Sequence, residues 1–213
     1  MMRYSVVSLA FLALLSACSR TVLVPVPPRM ELKGYGTLGI VDFGSNSNSD
    51  RSVSARATRQ FQEQVQAAQP GTRFIELGDR QQILAAVGAK QLDAASLRRI
   101  GEKYGVSAVF LGDIAYSEPK VDIRVSDMAK LEGGLRAEIR GDISARLLET
   151  ASGVSVWSTS GWARRQVGAM HVSADHGMSG AIGRSNPQEE MVPSLVQVIT
   201  DDFRPTYVRQ PAR

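Results

Sequence analysis

Two kinds of hydrophobic periodicity divide the chain. From residue 37 to residue 115, short apolar runs alternate with stretches in which apolar residues recur every three or four positions, which predicts strands alternating with amphipathic helices. From residue 121 to residue 162, apolar and polar residues alternate singly, which predicts antiparallel strands with one buried face. With a final helical stretch, the predicted order is β-α-β-α-α-β-β-β-β-α. This order predicts an α/β (α+β) fold, in which helices pack on a single mixed or antiparallel sheet.

Polar residues and glycines mark where the elements of the first half begin and end. The predicted strands are Leu38–Phe43, Arg73–Leu77 and Val106–Ala115. The apolar stripe of the first helix consists of Val53, Ala57, Phe61 and Val65. Ser52 is the predicted N-cap of this helix, and Asp79 and Asp93 are the predicted N-caps of the next two, because their side-chain oxygens can accept hydrogen bonds from unpaired backbone N–H groups. Gly105 is predicted to end the third helix, since glycine readily adopts the left-handed backbone conformation found there.

The longest alternation, from residue 135 to residue 147, sorts its side chains onto two faces. Its odd positions are mainly apolar, and its even positions are polar or charged: Arg136, Glu138, Arg140, Asp142, Ser144 and Arg146. We expect the odd positions to pack against helices and the even positions to face solvent. In the next predicted strand, Val154–Trp162, strand parity puts Trp157 and Trp162 on opposite faces. One of them is therefore predicted in the core, and the other can mark a contact surface, because aromatic residues dominate binding hot spots.

Three segments lack the pattern of a helix or a strand. His171–Gly183, which is rich in glycine and serine, is predicted to be a loop, and Arg204–Arg213 is predicted to be irregular. Residues 19–36 contain three prolines and show no helical periodicity, so they are predicted to form an extended tether. Between the loop and the tail, Asn186 is the predicted N-cap of a helix with Pro187 at its first position.

The N-terminus has the features of a secretory signal. Arg3 precedes an apolar run, Val6–Leu15, of about ten residues, shorter than the roughly 20 that a membrane-spanning helix needs. Small residues then lead to Cys18, the only cysteine in the chain. The order Leu15-Ser16-Ala17-Cys18 resembles a bacterial lipobox, which implies cleavage before Cys18 and attachment of a diacylglycerol and an N-acyl chain to it. An ordinary signal peptide with an incidental cysteine is the alternative.

Composition excludes several kinds of chemistry. With Cys18 lipidated, no thiol remains for a disulfide, a thiolate metal site or a cysteine nucleophile. The formal net charge is +4 at pH 7 without any run of five or more like charges, so we expect no nucleic-acid partner. The chain has neither a Gly-x-Ser-x-Gly elbow nor a Gly-Lys-Ser/Thr phosphate loop. We therefore expect a protein that is not an enzyme and that has no cofactor other than the acyl chains on Cys18.

The clearest candidates for a metal site are His171, Asp175 and His176, which include both histidines of the chain. Imidazole and carboxylate groups are common ligands of transition metals. However, glycines surround these residues, and no residue that would orient the ligands is identifiable. A solvated loop without metal is therefore the favoured interpretation.

Four short motifs occur in an order that is found in a known family. They are Val41-Asp42-Phe43, Phe74–Arg80, Gly105–Ile114, and the turn formed by Thr150, Gly153, Trp157 and Ser158. Together they resemble the CsgG-like domain, which occurs in the curli secretion-channel lipoprotein, in penicillin-binding-protein activators of the LpoB type and, more distantly, in the N-terminal domain of TolB. The resemblance covers about residues 37–163 and implies an α/β lipoprotein domain. Members range from pore subunits to activators of cell-wall synthases, so the resemblance does not imply one role.

These patterns divide the chain into four predicted parts: a signal peptide at 1–17, a lipidated cysteine with a tether at 18–36, a CsgG-like domain at 37–205, and a tail at 206–213. The leading hypothesis is a non-enzymatic accessory protein that is lipid-anchored to the outer membrane and faces the periplasm. Ser19, rather than aspartate, follows Cys18, which favours the outer membrane. The expected contact with an unidentified envelope protein is the sheet edge or the charged face around Arg136, Arg140 and Arg146.

The alternative is a homo-oligomeric subunit of a secretion or assembly complex. In that case the alternating strands from residue 121 to residue 147 would cross the membrane. The short connection at 128–134 and the lack of alternation in 160–185 favour the half-buried sheet over the pore.

Overall fold

The runs predicted as strands pair into one mixed sheet, and the helical stretches pack on it. The computed structural model describes residues 21–46, 50–127, 132–173, 177–182 and 186–211. The strands of the sheet are β2 (Thr37–Val41), β3 (Gly44–Ser45), β4 (Arg73–Gly78), β5 (Ala108–Tyr116), β6 (Lys120–Asp127), β7 (Glu132–Glu149), β8 (Ser155–Ser173) and β9 (Gly177–Ile182). The helices are α1 (Asp50–Ala68), α2 (Arg80–Ala86), α3 (Ala94–Tyr104) and α4 (Pro187–Thr200), with a 3₁₀ turn at Asp201–Phe203. The strands β1 (Thr21–Val26) and β10 (Thr206–Pro211) form a separate two-stranded ribbon.

The main sheet has the strand order β4-β2-β5-β7-β8-β9, and it does not close on itself. The β2–β4 and β2–β5 pairs are parallel, whereas the β5–β7, β7–β8 and β8–β9 pairs are antiparallel. β7 is long enough to pair with two strands on the same edge: its second half pairs with β5 and its first half with β6. The predicted fold class is confirmed: helices pack on an open, mixed sheet.

Helices cover the two faces of the sheet unequally. On one face, α1, α4 and the 3₁₀ turn enclose a core that reaches from Leu38 in β2 to Trp157 in β8. On the other face, α2 and α3 cover a smaller cluster, which includes Val41, Val109 and Leu148. Among the residues of this cluster, Leu148 comes from β7 and none comes from β8. The outer face of β7 and β8 therefore carries no helix among the described residues.

Local signals explain the first three helices. The predicted stripe of α1 is fully buried, with 0% exposure at Val53, Ala57, Phe61 and Val65. The Asp79 carboxylate accepts from the N–H groups of the first turn of α2, and Asp93 forms a capping box with Ser96 at the start of α3. Gly105 ends α3 with φ 66°, as predicted. One detail differs: α1 begins at Asp50, two residues before its predicted cap, Ser52.

The described residues of the segment His171–Gly183 do not form the predicted loop. β8 continues through Ser173. β9 pairs with it antiparallel, with Gly177 opposite Ser173 and Ile182 opposite Gly168. The segment shows no apolar alternation because it is rich in glycine, alanine and serine, yet the backbone of β7 offers β8 a continuous ladder of hydrogen-bonding groups. The prediction of a loop is therefore wrong for residues 171–173 and 177–182, which are strand.

The predicted irregular tail is also a strand. β10 pairs antiparallel with β1, with Thr21 opposite Pro211 and Val26 opposite Thr206. The residues after β1 are packed on the domain, since Leu32 is 2% exposed and its N–H donates to Gln69 Oε1 at 2.7 Å. The extended course predicted for this segment is present, but the segment folds back onto the protein.

Residues 1–17 and Cys18 lie outside the described residues, so the signal peptide and the lipidation remain predictions. Within the ranges that are described, no helix is both long and apolar enough to cross a membrane.

Candidate functional site

The uncovered face of β7 and β8 collects most of the residues predicted to make contacts. We call it the Arg–Trp face and define it by Arg136, Arg140, Arg146, Trp162 and Arg164. These side chains project to one side because opposite residues in an antiparallel pair share a face, and the register places Asp142 opposite Trp162 and Arg140 opposite Arg164. The odd positions of β7, including Ile139 and Ile143, are buried on the other side, as the alternation predicts.

Trp162 is the centre of an ordered array on this face. The indole is 53% exposed, and the Cζ atoms of Arg140 and Arg164 both lie 5.1 Å from its ring centroid, within the range of a cation–π interaction. Arg140 binds the Asp142 carboxylate through two nitrogens, with Nη2 to Oδ1 at 2.6 Å and Nε to Oδ2 at 3.1 Å. Arg164 lies 3.5 Å from Glu138. The five side chains therefore form a continuous row, Glu138–Arg164–Trp162–Arg140–Asp142.

Electrostatics favour the charged state of Arg140. The hydrogen bonds from Arg140 to Asp142 raise the pKa of the guanidinium further above its ordinary value, so Arg140 stays protonated at any pH that the fold survives. Each ion pair is half-exposed and contributes little to stability on its own. Their effect is to hold two guanidinium groups against the indole ring. The aromatic side chain is thus exposed and oriented at the same time.

A shallow cavity of about 340 Å³ lies beside the tryptophan. It is lined by Trp162, Arg140 and Asp142 on one side and by Asp113 and its neighbours in β5 on the other. Arg80 Nη2 donates to both carboxylate oxygens of Asp113, at 3.1 and 3.2 Å. A group that binds the indole can therefore also reach this cavity, whose lining includes Asp113 and Asp142.

The structure separates the two tryptophans, as strand parity predicts. Trp157 is 8% exposed, packs on Phe203 with a centroid distance of 4.8 Å, and donates from Nε1 to Asp202 Oδ2 at 3.1 Å. It belongs to the core, so Trp162 is the tryptophan of the candidate site. The face also includes Arg164, which the sequence analysis missed because it predicted that β8 ends at Trp162. The signal was present, since Arg164 continues the same alternation by two positions.

A second, larger cavity, of about 1020 Å³, lies where β2 and β4 end. Polar side chains in its lining form hydrogen bonds near the first turns of two helices. Asp79 is the N-cap of α2, and the hydroxyl of Ser54 in α1 donates to the carbonyl of Phe43. Burial, with repulsion from Asp79 and Glu76, raises the pKa of Asp42 in this lining. The chemistry of this cavity is therefore explained by folding rather than by a ligand.

The structure does not describe the three candidate metal ligands together. Asp175 and His176 lie outside the described residues, and His171 is described only as a backbone position in β8. Within the described part of the chain, no group of three or more histidine, cysteine, aspartate or glutamate side chains is placed to hold a metal ion.

Comparison with known proteins gives similarity to solved structures alone. No protein-family model matches the chain, and no curated protein matches it. Similar structures include the PelC dodecamer from Paraburkholderia phytofirmans, at 11% identity and a TM-score of 0.44 over 87% of this chain and 98% of that one. They also include the LpoB C-terminal domain from Salmonella enterica, at 12% identity and a TM-score of 0.36 over 65% of this chain and 84% of that one. Lipoprotein GNA1162 from Neisseria meningitidis has 14% identity and a TM-score of 0.33 over 76% of this chain and 96% of that one. At TM-scores this low, function has to be argued from the chain's own residues.

Proposed function

We propose that this chain is a non-enzymatic, lipid-anchored accessory protein of the bacterial envelope, which binds another envelope component through the Arg–Trp face. The observation that carries the proposal is the row Glu138–Arg164–Trp162–Arg140–Asp142. It places a 53%-exposed indole between two ordered arginines on a face that no described helix covers.

The row is suited to binding because it is already ordered before a partner arrives. Tryptophan and arginine are the residues most enriched at binding hot spots. Ordering a rotamer-rich side chain on binding costs about 0.5–1.5 kcal/mol, and here the ion pairs hold Arg140 and Arg164 in place beforehand. The arginines and carboxylates of the row are engaged with one another, which favours a role in recognition over one in acid–base chemistry.

The charges of the face indicate the partner's chemistry. The row and its neighbours carry four guanidinium groups, on Arg136, Arg140, Arg146 and Arg164, against the two carboxylates of Glu138 and Asp142. A complementary surface has an apolar slot for the indole and carboxylates around it. We propose a protein with such a patch as the partner.

The lipid anchor supports a binder of modest affinity. Acylation of Cys18 would confine the protein to one membrane surface, and Ser19 favours the outer membrane with the domain in the periplasm. Confinement raises the effective concentration of the face toward any partner in the same envelope. Palmitate labelling of the chain, and its loss in Cys18→Ser, tests the anchor separately.

The contact is tested by photo-crosslinking in cells with the full chain. A photoreactive residue is placed at Ser160, which is exposed on the same face as Trp162, or at Val198, which is 44% exposed on α4 behind the sheet. We expect a discrete adduct from Ser160 and none of the same mass from Val198. Trp162→Ala should reduce the Ser160 adduct at least tenfold, because it removes the hot-spot side chain.

A charge-matched control separates this face from general electrostatics. Reversal of Arg136, Arg140 and Arg146 to glutamate should abolish the Ser160 adduct. Reversal of three exposed arginines of α1, at Arg51, Arg56 and Arg59, should leave it unchanged. An adduct that survives both Trp162→Ala and the reversal on the Arg–Trp face, in protein with native circular dichroism, refutes the proposed contact.

An oligomeric subunit of a secretion or assembly complex is the second candidate. The observation that favours it is the β8–β9 hairpin, which gives the sheet an edge strand in a segment predicted to be a loop. An edge strand offers unpaired backbone groups to a second chain. Sedimentation velocity of the detergent-extracted, full-length protein tests it: a defined ring-sized species supports this candidate, and a monomer at all concentrations refutes it.

A further inference from the structure

The β1–β10 ribbon is an unusually exposed element. Isolated two-stranded ribbons are at best marginally stable in water. This one nevertheless presents five large apolar side chains to solvent: Val22 (48%), Leu23 (63%), Val26 (38%), Tyr207 (64%) and Val208 (47%). An apolar ribbon outside the main sheet is therefore a surface that lacks its partner.

Both faces of the ribbon are apolar, which argues against a docking site for one folded surface. Residues directly opposite each other share a face, and side chains alternate along each strand. Val22 and Val208 therefore lie on one face of the ribbon, and Leu23 and Tyr207 lie on the other. A rigid partner would cover one face and leave the other in water. A fluid apolar environment can solvate both.

The position of the ribbon in the chain indicates which environment this is. Thr21 begins β1 three residues after Cys18, and three residues reach at most about 11 Å when fully extended. If Cys18 carries acyl chains, as the proposed function requires, β1 begins within about 11 Å of the membrane. The headgroup layer of one leaflet is about 5–8 Å deep. The ribbon cannot lie far from this layer.

Charge agrees with an anionic membrane surface. In the sequence, Arg20, Arg209 and Arg213 lie in or next to the two strands of the ribbon, whereas Arg29 and Arg204 pair with Asp202 and Asp201. Arg209 is exposed on β10 opposite Leu23. Tyrosine is enriched at membrane interfaces, where its ring is in the apolar layer and its hydroxyl in water. Arginines beside an apolar, tyrosine-bearing ribbon fit anionic headgroups above acyl chains.

We infer that the β1–β10 ribbon inserts at the boundary between the headgroups and the acyl chains of an anionic leaflet and holds the domain against the membrane. The inference rests on the lipid anchor of the proposed function but not on the Arg–Trp face. The segment after Cys18 would then be bound to the membrane surface rather than form a loose tether. β10, the C-terminal strand of the ribbon, would supply a second contact with the membrane.

The test uses the chain from Ser19 onward, which retains every described element but has no acyl chain. Its co-sedimentation is measured with vesicles of phosphatidylethanolamine and phosphatidylglycerol at 3:1, and with vesicles of phosphatidylcholine alone. We expect binding to the anionic vesicles. The double variant Leu23→Ser/Tyr207→Ser should weaken it at least tenfold, and Arg209→Gln about fivefold. Val154→Ser, at an exposed valine (57%) of the β7–β8 turn, is the matched control and should bind as the parent does.

Two results would overturn the inference. One is vesicle binding that is absent or unaffected by the ribbon variants. The other is a concentration-dependent dimer that is lost in those variants while vesicle binding is not, which would mean that the ribbon meets a second copy. The Ser160 adduct of the lipidated chain distinguishes the two proposals. Loss of vesicle binding with an intact adduct refutes the ribbon alone, and vesicle binding without an adduct refutes the Arg–Trp face alone.

Discussion

Gly112→Ala provides the most direct test of how the core of this protein is packed. Gly112 lies in β5, against the ring of Phe43. A Cβ at Gly112 would lie 2.1 Å from Phe43 Cε1 and 2.4 Å from Cδ1 and Cζ, whereas carbon atoms in contact are about 3.5–4.0 Å apart. The ring must therefore move by more than about 1 Å to admit one methyl group. Phe43 is 2% exposed, and its centroid lies 5.5 Å from that of Phe61, so it has no free space to move into.

Overpacking of a rigid core typically costs about 1–3 kcal/mol, and this clash belongs at the upper end. We expect Gly112→Ala to lower the free energy of unfolding by about 3 kcal/mol. Gly141→Ala is a graded comparison: its Cβ would meet Leu195 Cδ1 at 2.9 Å, and this flexible side-chain end can give way. Its expected cost is about 1 kcal/mol.

The assay is urea unfolding of the chain from Ser19, followed by the fluorescence of the buried Trp157. Gly36→Ala is the control, because a Cβ at Gly36 has nothing within 4 Å. It should be neutral or stabilising by up to about 1 kcal/mol, since alanine restricts the unfolded chain. If Gly112→Ala unfolds within about 0.5 kcal/mol of Gly36→Ala, Phe43 is not held as described and the reasoning fails.

Two further changes test polar groups of the fold. Because burial and repulsion raise the pKa of Asp42 above its ordinary value of 3.8, its charge destabilises the folded state at neutral pH, and the penalty vanishes as the pH falls through the raised pKa to below 3.8. Asp42→Asn should therefore raise the Tm at pH 7 and leave it unchanged at pH 3; a larger gain at pH 3 contradicts the sign. Thr150→Val should cost about 1–3 kcal/mol by urea unfolding, because the buried Thr150 hydroxyl lies 2.8 Å from the carbonyl oxygens of Val106 and Ser107 and both would lose it. Thr150→Ser keeps the hydroxyl and should cost less than Thr150→Val; a Thr150→Val variant as stable as the parent chain would show that these hydrogen bonds do not stabilise the fold.

Helix positions and helix ends could be predicted because they depend on residues close in the chain. The buried stripe of α1 follows from a spacing of four residues, and the cap at Asp93 from a partner three residues away at Ser96. Nothing about the rest of the chain is needed for these predictions.

The candidate site could be predicted only in part. Alternation assigned Arg136, Arg140 and Arg146 to one face of β7, and parity separated the tryptophans. It did not say which tryptophan is buried, because this depends on where α4 packs. Arg164 was missed because the predicted strand ended at Trp162, although Arg164 continues its alternation by two positions.

By itself, the sequence determined the local period of each segment, the faces of β7, most helix ends and the class of the fold. Only the tertiary structure decided that β9 and the β1–β10 ribbon exist, and that Trp162 lies against two arginines. The physical reason is that the hydrophobic periodicity of a segment shows only which of its side chains can be buried. A strand also needs a second strand whose backbone groups can form hydrogen bonds with it. For β1 the partner is at the far end of the chain, and for β9 it is the extension of β8, so neither strand has to carry an apolar pattern of its own.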